Sequence, residues 1–66
     1  MNPAKKLYVR EIAANLDFSA SCAKLARARI MGGENFAIDE LIEQICSSAN
    51  TAKYLLDKAR KERALG

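Results

Sequence analysis

The stretch Ile30-Met31-Gly32-Gly33-Glu34-Asn35 lies almost at the middle of the chain and divides it into two helical halves. It holds the one pair of adjacent glycines, while the single proline stands at position 3. One glycine of the pair is suited to the left-handed C-cap position, which side chains with a Cβ resist. We therefore predict that the first helical half ends at Gly32-Gly33 and that a new helix starts near Asn35 to Asp39.

In the first half, apolar residues recur at helical spacing, with an interruption at Asp17-Phe18-Ser19. Because Asp and Ser are good N-cap residues, the interruption predicts a turn between a helix over Lys5 to Leu16 and another over Ala20 to Met31. The alternative is one long helix that continues through the interruption. The predicted apolar face of this half consists of Tyr8, Ile12, Leu16, Cys22, Ala23, Ala26 and Ile30.

The second half carries one apolar stripe at spacings of three and four residues, with Ser47-Ser48 as its weak point. No strand is predicted, because helix-forming residues dominate. The predicted fold is therefore one all-α domain over residues 1–66, with three to four helices. The alternative is a two-arm helical hairpin that dimerises into a four-helix bundle. The stripe consists of Ile38, Leu41, Ile42, Ile45, Ala49, Ala52, Leu55, Leu56 and Ala59.

A chain of 66 residues can bury only a small core, so an additional source of stability is expected. A symmetric homodimer is the commonest such source. Charged residues interrupt every hydrophobic stretch, which argues against a membrane span. With two cysteines and no apolar run of signal-peptide length at its start, the chain is expected to be cytoplasmic with reduced thiols. Its size suggests a phage, plasmid or bacterial accessory protein.

The sequence offers little for catalysis. It has no His, so neither a Cys-His nor a Ser-His-Asp arrangement can form, and two Cys without His cannot close a zinc site. Cys22 and Cys46 are both predicted to be core residues. Gly32-Gly33-Glu34 lacks the Lys-Ser/Thr of a phosphate loop. We expect no enzyme activity, no cofactor, no metal and no small-molecule substrate.

Charge is unevenly distributed along the chain. Residues 1–33 contain six Lys or Arg and two acids, whereas residues 34–66 contain five Lys or Arg and six acids. In the second half, acids lie at the start and bases at the end, which the helix dipole explains without a ligand. Those acids include Asp39, Glu40 and Glu43, whose spacing fits an ordinary first helical turn better than a metal cluster. The isoelectric point is near 9.1.

Residues 10–27, REIAANLDFSASCAKLAR, resemble the helix-turn-helix pattern of many small DNA-binding regulators. The resemblance implies a crossing at Ala13 and an N-cap at Ser19. Asp17 stands where the family usually has Gly, and the small Ala23 and Ala26 replace larger aliphatic residues. A helix from Ala20 would then enter the major groove. The resemblance implies DNA contacts by Ala20, Ser21 and Lys24 to base edges and by Arg27 and Arg29 to phosphates.

A second, weaker match covers residues 40–55 and repeats the first in outline, so that Ser19 corresponds to Ser48. It lacks the small crossing residue, because Ile42 stands there, and three acids precede its turn. We favour the first frame. In the second frame, the residues facing DNA would be Asn50, Thr51, Lys53 and Tyr54.

Three functions are compatible with these patterns. The leading hypothesis is a homodimeric DNA-binding transcriptional regulator, whose basic first half contacts phosphates. The competing hypothesis is a protein–protein interaction module without nucleic-acid binding, whose helical arms fold at Gly32-Gly33 and which binds or inhibits a partner protein. RNA binding is the third, although Phe18 and Phe36, two of the four aromatics available for stacking, are predicted to lie in the core.

Overall fold

The computed structural model describes residues 3–64 and consists of two antiparallel helices. Helix α1 spans Pro3–Met31 and helix α2 spans Ile38–Lys61, and no strand occurs between residues 3 and 64. The all-α prediction is confirmed, but the prediction of three to four helices is wrong, because the structure has the two arms of the alternative hairpin. Residues 1, 2, 65 and 66 of the predicted 1–66 domain lie outside the described residues.

Helix α1 continues without a break through Asp17-Phe18-Ser19, where a turn was predicted. The predicted N-cap serine has a different role, because its hydroxyl reaches the other helix. The Ser19 hydroxyl is hydrogen-bonded to the Ser48 hydroxyl and lies 3.3 Å from the carbonyl oxygen of Ile45. With no Gly or Pro at the interruption, nothing in the backbone opposes the helix. Helix α2 is likewise continuous through Ser47-Ser48.

The turn between the helices forms where Gly32-Gly33 predicts it. Gly33 adopts a left-handed φ of 82°, its N–H donates to the Ile30 carbonyl, and the Glu34 N–H donates to the Arg29 carbonyl at 2.8 Å. These two bonds form a Schellman motif, which satisfies the last carbonyls of α1. The start of α2 at Ile38 agrees with the prediction. The Arg29 guanidinium donates to the Phe36 carbonyl at 3.1 Å and so fixes the loop.

The inward-facing residues of both helices alternate at spacings of three and four, which is the heptad spacing of an antiparallel coiled coil. Position 19 of α1 lies opposite position 48 of α2. This pairing also brings together two residues that correspond in the internal sequence repeat. The seam, as we call this contact between the helices, consists of Tyr8, Ile12, Asn15, Ser19, Cys22, Ala26 and Arg29 from α1, and of Ile38, Leu41, Ile45, Ser48, Ala52, Leu55 and Ala59 from α2.

The centre of the seam is built from small residues. Buried positions include Cys22 and Ala26 in α1, and Ser48, Ala52 and Ala59 in α2. Small side chains allow two helices to approach closely, and the Ser48 hydroxyl is satisfied there because it donates to the Gln44 carbonyl at 2.8 Å. The predicted weak point of the α2 stripe is therefore part of its packed core.

Several predicted core residues lie outside the seam. Phe18 is 50% exposed and Phe36 is 77% exposed. Of the two cysteines, Cys22 is buried as predicted, whereas Cys46 is exposed. The predicted apolar stripes were too wide, because one heptad seam accommodates only two positions in seven from each helix. The stripe residues that are exposed instead are Leu16, Ala23, Ile30, Ile42 and Ala49.

Candidate functional site

On one broad side of the hairpin, the two rows of residues that directly flank the seam are entirely apolar. In α1 these are the residues that directly follow Tyr8, Asn15, Cys22 and Arg29 of the seam, and in α2 they follow three seam positions in the same way. Each step of one residue rotates by about 100°, and because the helices are antiparallel both rotations lead to the same side of the hairpin. This side, called the apolar face below, consists of Val9, Leu16, Ala23, Ile30, Ile42, Ala49 and Leu56.

The apolar face is accessible to solvent along most of its length. Val9 and Ile42 are each 48% exposed, Leu16 is 52% exposed and Ile30 is 55% exposed. The residues repeat at intervals of seven in both helices, so they form two parallel rows. The molecule measures 47 × 17 × 13 Å, and this face occupies one of its two broad sides. An exposed apolar area of this extent is typical of a surface that another protein covers.

The opposite broad side has a mixed character. On α1 it presents Phe18 and Leu25, which are 50% and 45% exposed. On α2 the residues in the equivalent position are Gln44, Thr51 and Lys58, all polar and exposed. The two sides of one hairpin therefore differ in chemistry, and only the apolar face is continuous across both helices.

Polar contacts fix the two helices at one register and so keep both rows of the apolar face aligned. At the centre, Ser19 and Ser48 are hydrogen-bonded, and the Cys22 thiol lies 3.5 Å from the Gln44 side-chain oxygen. At the open end, where α1 begins and α2 ends, the Tyr8 hydroxyl donates to the Glu62 carboxylate at 2.7 Å. A shift of one residue would break these bonds and rotate the apolar rows apart.

The residues predicted to contact DNA in the first frame do not stand on a separate recognition helix. Ala20, Lys24 and Arg27 lie at i, i+4 and i+7 on the outer side of α1, and Ser21 is exposed beside them. Arg29 instead turns toward the loop, where its guanidinium carbon is 6.0 Å from the centroid of the Phe36 ring. The helix-turn-helix arrangement is absent from residues 10–30, because α1 has no turn there.

The second-frame residues Asn50, Thr51, Lys53 and Tyr54 are all exposed and occupy the outward side of α2. The Thr51 hydroxyl donates to the Ser47 carbonyl of its own helix at 3.0 Å. The predicted turn before these residues is also absent, because α2 is continuous from Ile38 to Lys61. Neither frame therefore forms the crossing of two helices that the motif requires.

Sequence reasoning missed the apolar face because it merged six of its seven residues with the seam and left out Val9. The signal was present in the spacing of Val9, Leu16, Ala23 and Ile30, which recur at intervals of seven beside the seam positions. No group of three or more His, Cys, Asp or Glu within residues 3–64 is arranged to hold a metal ion. Asp39 and Glu40 lie in the first turn of α2, where the helix dipole favours acids.

Neither helix, over the residues that the structure describes, combines the length and apolar character needed to cross a bilayer. No protein-family model matches the chain, and no curated protein or solved structure is similar enough to it to indicate a family. The apolar face is the candidate functional site.

Proposed function

We propose that this chain is a helical protein–protein interaction module whose first partner is a second copy of itself. Two hairpins pair through their apolar faces and form a four-helix bundle. The observation that carries this proposal is the apolar face, which continues across both helices without a polar residue in either row.

The hairpin alone leaves most of its large apolar side chains in water. Its buried hydrophobic residues are Cys22 and four alanines, and no large side chain among the described residues is fully buried. Small domains of this length rarely gain more than a few kcal/mol from one core. Covering the apolar face would bury the exposed half of Leu16 and of Ile42. This contributes about 1 kcal/mol for each side chain, which is about half of the 1.5–3 kcal/mol for complete burial.

A second copy fits this face in extent and symmetry. The longer apolar row runs about 31 Å along α1, from Val9 to Ile30. A face-to-face dimer that also covers the flanking side chains along the 47 Å hairpin approaches the roughly 800 Å² that each partner contributes to a stable interface of standard size. A two-fold axis through the face brings the same apolar residues together from both copies. The result is a layer of aliphatic side chains between two hairpins, as in a four-helix bundle.

The charge distribution favours an antiparallel arrangement of the two hairpins, called head-to-tail below, in which each open end lies beside the loop of the other copy. The half near the open end, residues 3–17 and 50–64, contains eight basic and four acidic residues, while the loop half, residues 18–49, contains three basic and four acidic residues. A head-to-tail dimer places the positive half of one copy beside the slightly negative half of the other. The parallel arrangement would place two positive halves together, which is electrostatically unfavourable.

The helix-turn-helix resemblance does not support the proposed function. Both of its frames require a turn, at Asp17-Phe18-Ser19 or at Ser47-Ser48, and the backbone is helical at both places. The proposed function corresponds instead to the protein–protein interaction part of the competing hypothesis. DNA binding by Lys24, Arg27 and their neighbours remains an untested prediction.

Analytical ultracentrifugation over a range of concentrations tests the proposal. The wild-type chain should sediment as a dimer, and Leu16→Glu combined with Ile42→Glu should sediment as a monomer that circular dichroism shows to be helical. The matched control, Leu25→Glu combined with Thr51→Glu, adds the same charge to the opposite side and should remain dimeric. A wild-type chain that is monomeric at every concentration, or a control that dissociates equally, would refute the self-pairing.

The orientation of the copies can be measured separately. Asn35→Cys, introduced with Cys22→Ala and Cys46→Ser, allows a single spin label at the tip of each loop. In the head-to-tail dimer, the two labels should be separated by a distance comparable to the 47 Å length of the hairpin. Labels in close proximity would show the parallel arrangement instead.

A further inference from the structure

The fold gathers the cations of the two chain ends at one place. In the sequence, the basic residues near the start and those near the end are about fifty positions apart, but the hairpin returns the end of α2 beside the beginning of α1. The open end, residues 3–10 and 57–64, therefore holds a cluster of positive charge. Its seven cationic residues are Lys5, Lys6, Arg10, Lys58, Arg60, Lys61 and Arg63.

The two acids of the open end are already engaged within the chain. Asp57 lies 4.0 Å from Arg60, and Glu62 accepts the hydrogen bond of Tyr8. Seven cations against two carboxylates leave a net charge of +5 on residues 3–10 and 57–64. This value exceeds the net charge of +3 for the whole chain. The open end is thus the electrostatically dominant part of the molecule.

The helix dipole explains only half of this cluster. Bases in the last turn of α2 are favourable, because the carboxyl end of a helix carries a partial negative charge. Lys5 and Lys6, in contrast, lie near the amino end of α1, where the partial charge is positive and acids are favoured. The first turn of α1 contains no acid. These lysines therefore oppose the helix dipole and have no acidic partner within 4.0 Å in the described residues.

Two shallow, open hollows lie between side chains near the open end. One hollow of about 330 Å³ is lined by Lys5, Lys6, Val9 and Arg10. A second hollow, of about 320 Å³, lies on α2. Both are bordered by lysine side chains that can donate several hydrogen bonds to an anion. The lining of the second hollow consists of Tyr54, Asp57, Lys58 and Lys61.

We propose that the open end binds the phosphate backbone of a nucleic acid. Its cations project on several sides of the open end, which suits a chain of repeated phosphates. Contacts to phosphates need no apolar pocket and no fixed base sequence. This inference goes beyond the proposed self-pairing and does not depend on it, because Val9 is the one residue lining the two hollows that belongs to the apolar face. DNA and RNA share the phosphodiester chemistry, and the experiment below distinguishes them.

The test is fluorescence anisotropy of the full chain with a labelled generic DNA duplex and a labelled single-stranded RNA. About four phosphate contacts predict that affinity for the duplex falls about 100-fold between about 50 and 200 mM salt. The open-end variant combines Lys6→Gln with Lys61→Gln and should lose about 10-fold in affinity at low salt. The matched control combines Lys24→Gln with Arg27→Gln, removes the same charge from the loop half, and should bind almost as the wild type does.

The outcomes separate this inference from its competitors. Equal loss in the control would overturn the open-end site and support the outer side of α1 instead. Absence of binding to both nucleic acids at low salt also overturns it. Preferential binding to one nucleic acid identifies the source of the phosphates. Ultracentrifugation of the same samples reports the dimer separately, so failure of one proposal does not imply failure of the other.

Discussion

The two helices of this hairpin distribute their apolar residues differently. Of the ten large hydrophobic residues that are exposed in the described chain, α1 contributes seven and α2 contributes two. Polar side chains cover the outward side of α2, while α1 has only a narrow polar stripe that includes Arg10, Asp17 and Lys24. A helix that is apolar on several sides has more surface to bury than one antiparallel neighbour can cover. Helix α1 therefore supplies most of the need for a partner.

The largest expected effect comes from a comparison of two substitutions on opposite sides of α1. Leu16→Ala removes aliphatic surface from the apolar face in both copies of the dimer, so it should cost about 3–6 kcal/mol per dimer. Phe18→Ala, on the mixed side, should cost about half as much, about 1.5–3 kcal/mol per dimer, because that ring is half exposed in both copies. Thermal unfolding at several protein concentrations measures both. The wild-type midpoint should rise with concentration, and equal losses for the two variants would contradict the assignment of the apolar face.

A second prediction compares the helices within the seam. Ala59 of α2 is fully buried and Ala26 of α1 is 8% exposed. Replacing either residue by Leu inserts a larger side chain between closely packed helices, and such overpacking costs about 1–3 kcal/mol. We expect the greater cost at Ala59, measured by urea unfolding. Ala14→Leu on the exposed surface of α1 is the control, and a cost there similar to that at Ala59 would argue against close packing.

The seam residues of α2 were predicted better than those of α1, because α1 is apolar on several sides and α2 is not. In α2 the apolar stripe from Ile38 to Ala59 has polar residues on the remaining sides, so its periodicity identified most of the seam. In α1, seam residues such as Ile12 alternate with apolar-face residues such as Leu16, and both satisfy helical spacing. Sequence periodicity does not distinguish two adjacent apolar rows until the position of the second helix is known.

The turn at Gly32-Gly33 could be predicted from local sequence, whereas the role of the two serines could not. Gly32-Gly33 was predicted as the C-cap because glycine adopts positive φ without steric cost, and this is a local property that the sequence states directly. Ser19 was predicted to cap a helix after a turn, and Ser47-Ser48 was predicted to be the weak point of the α2 stripe. Their actual role depends on a contact across 29 positions of sequence. The open-end cluster depends in the same way on the return of α2 to the start of α1.

The two left-handed residues of the loop between the helices offer a prediction of intermediate size. Ala37, which precedes α2, has a φ of 61°, a left-handed conformation that costs a residue with a Cβ about 1–2 kcal/mol. Ala37→Gly should therefore raise the free energy of unfolding by about 1 kcal/mol. The converse change, Gly33→Ala, should lower the free energy of unfolding by about 1 kcal/mol, because Gly33 has a φ of 82° that strains a residue with a Cβ. The added Cβ would meet no other atom, so backbone strain is the whole cost. Urea unfolding of both variants checks the opposite signs.

The smallest expected effect concerns the bond that links the two helices at the open end. Donation to the Glu62 carboxylate, with smaller contributions from lost hydration and from the charges of Glu62 and Tyr54, raises the pKa of Tyr8 above its usual value of 10.0. A group whose pKa is raised by folding stabilises the fold below its unfolded pKa, and this contribution is lost as the pH rises through the folded pKa. Wild-type stability should therefore decline above about pH 10 relative to that of Tyr8→Phe, which cannot ionise at this position. Glu62→Gln keeps an acceptor but removes the negative charge, so it should lower the pKa of Tyr8 in a tyrosinate absorbance titration. An unchanged pKa in that variant would show that the two helices are not linked by this bond.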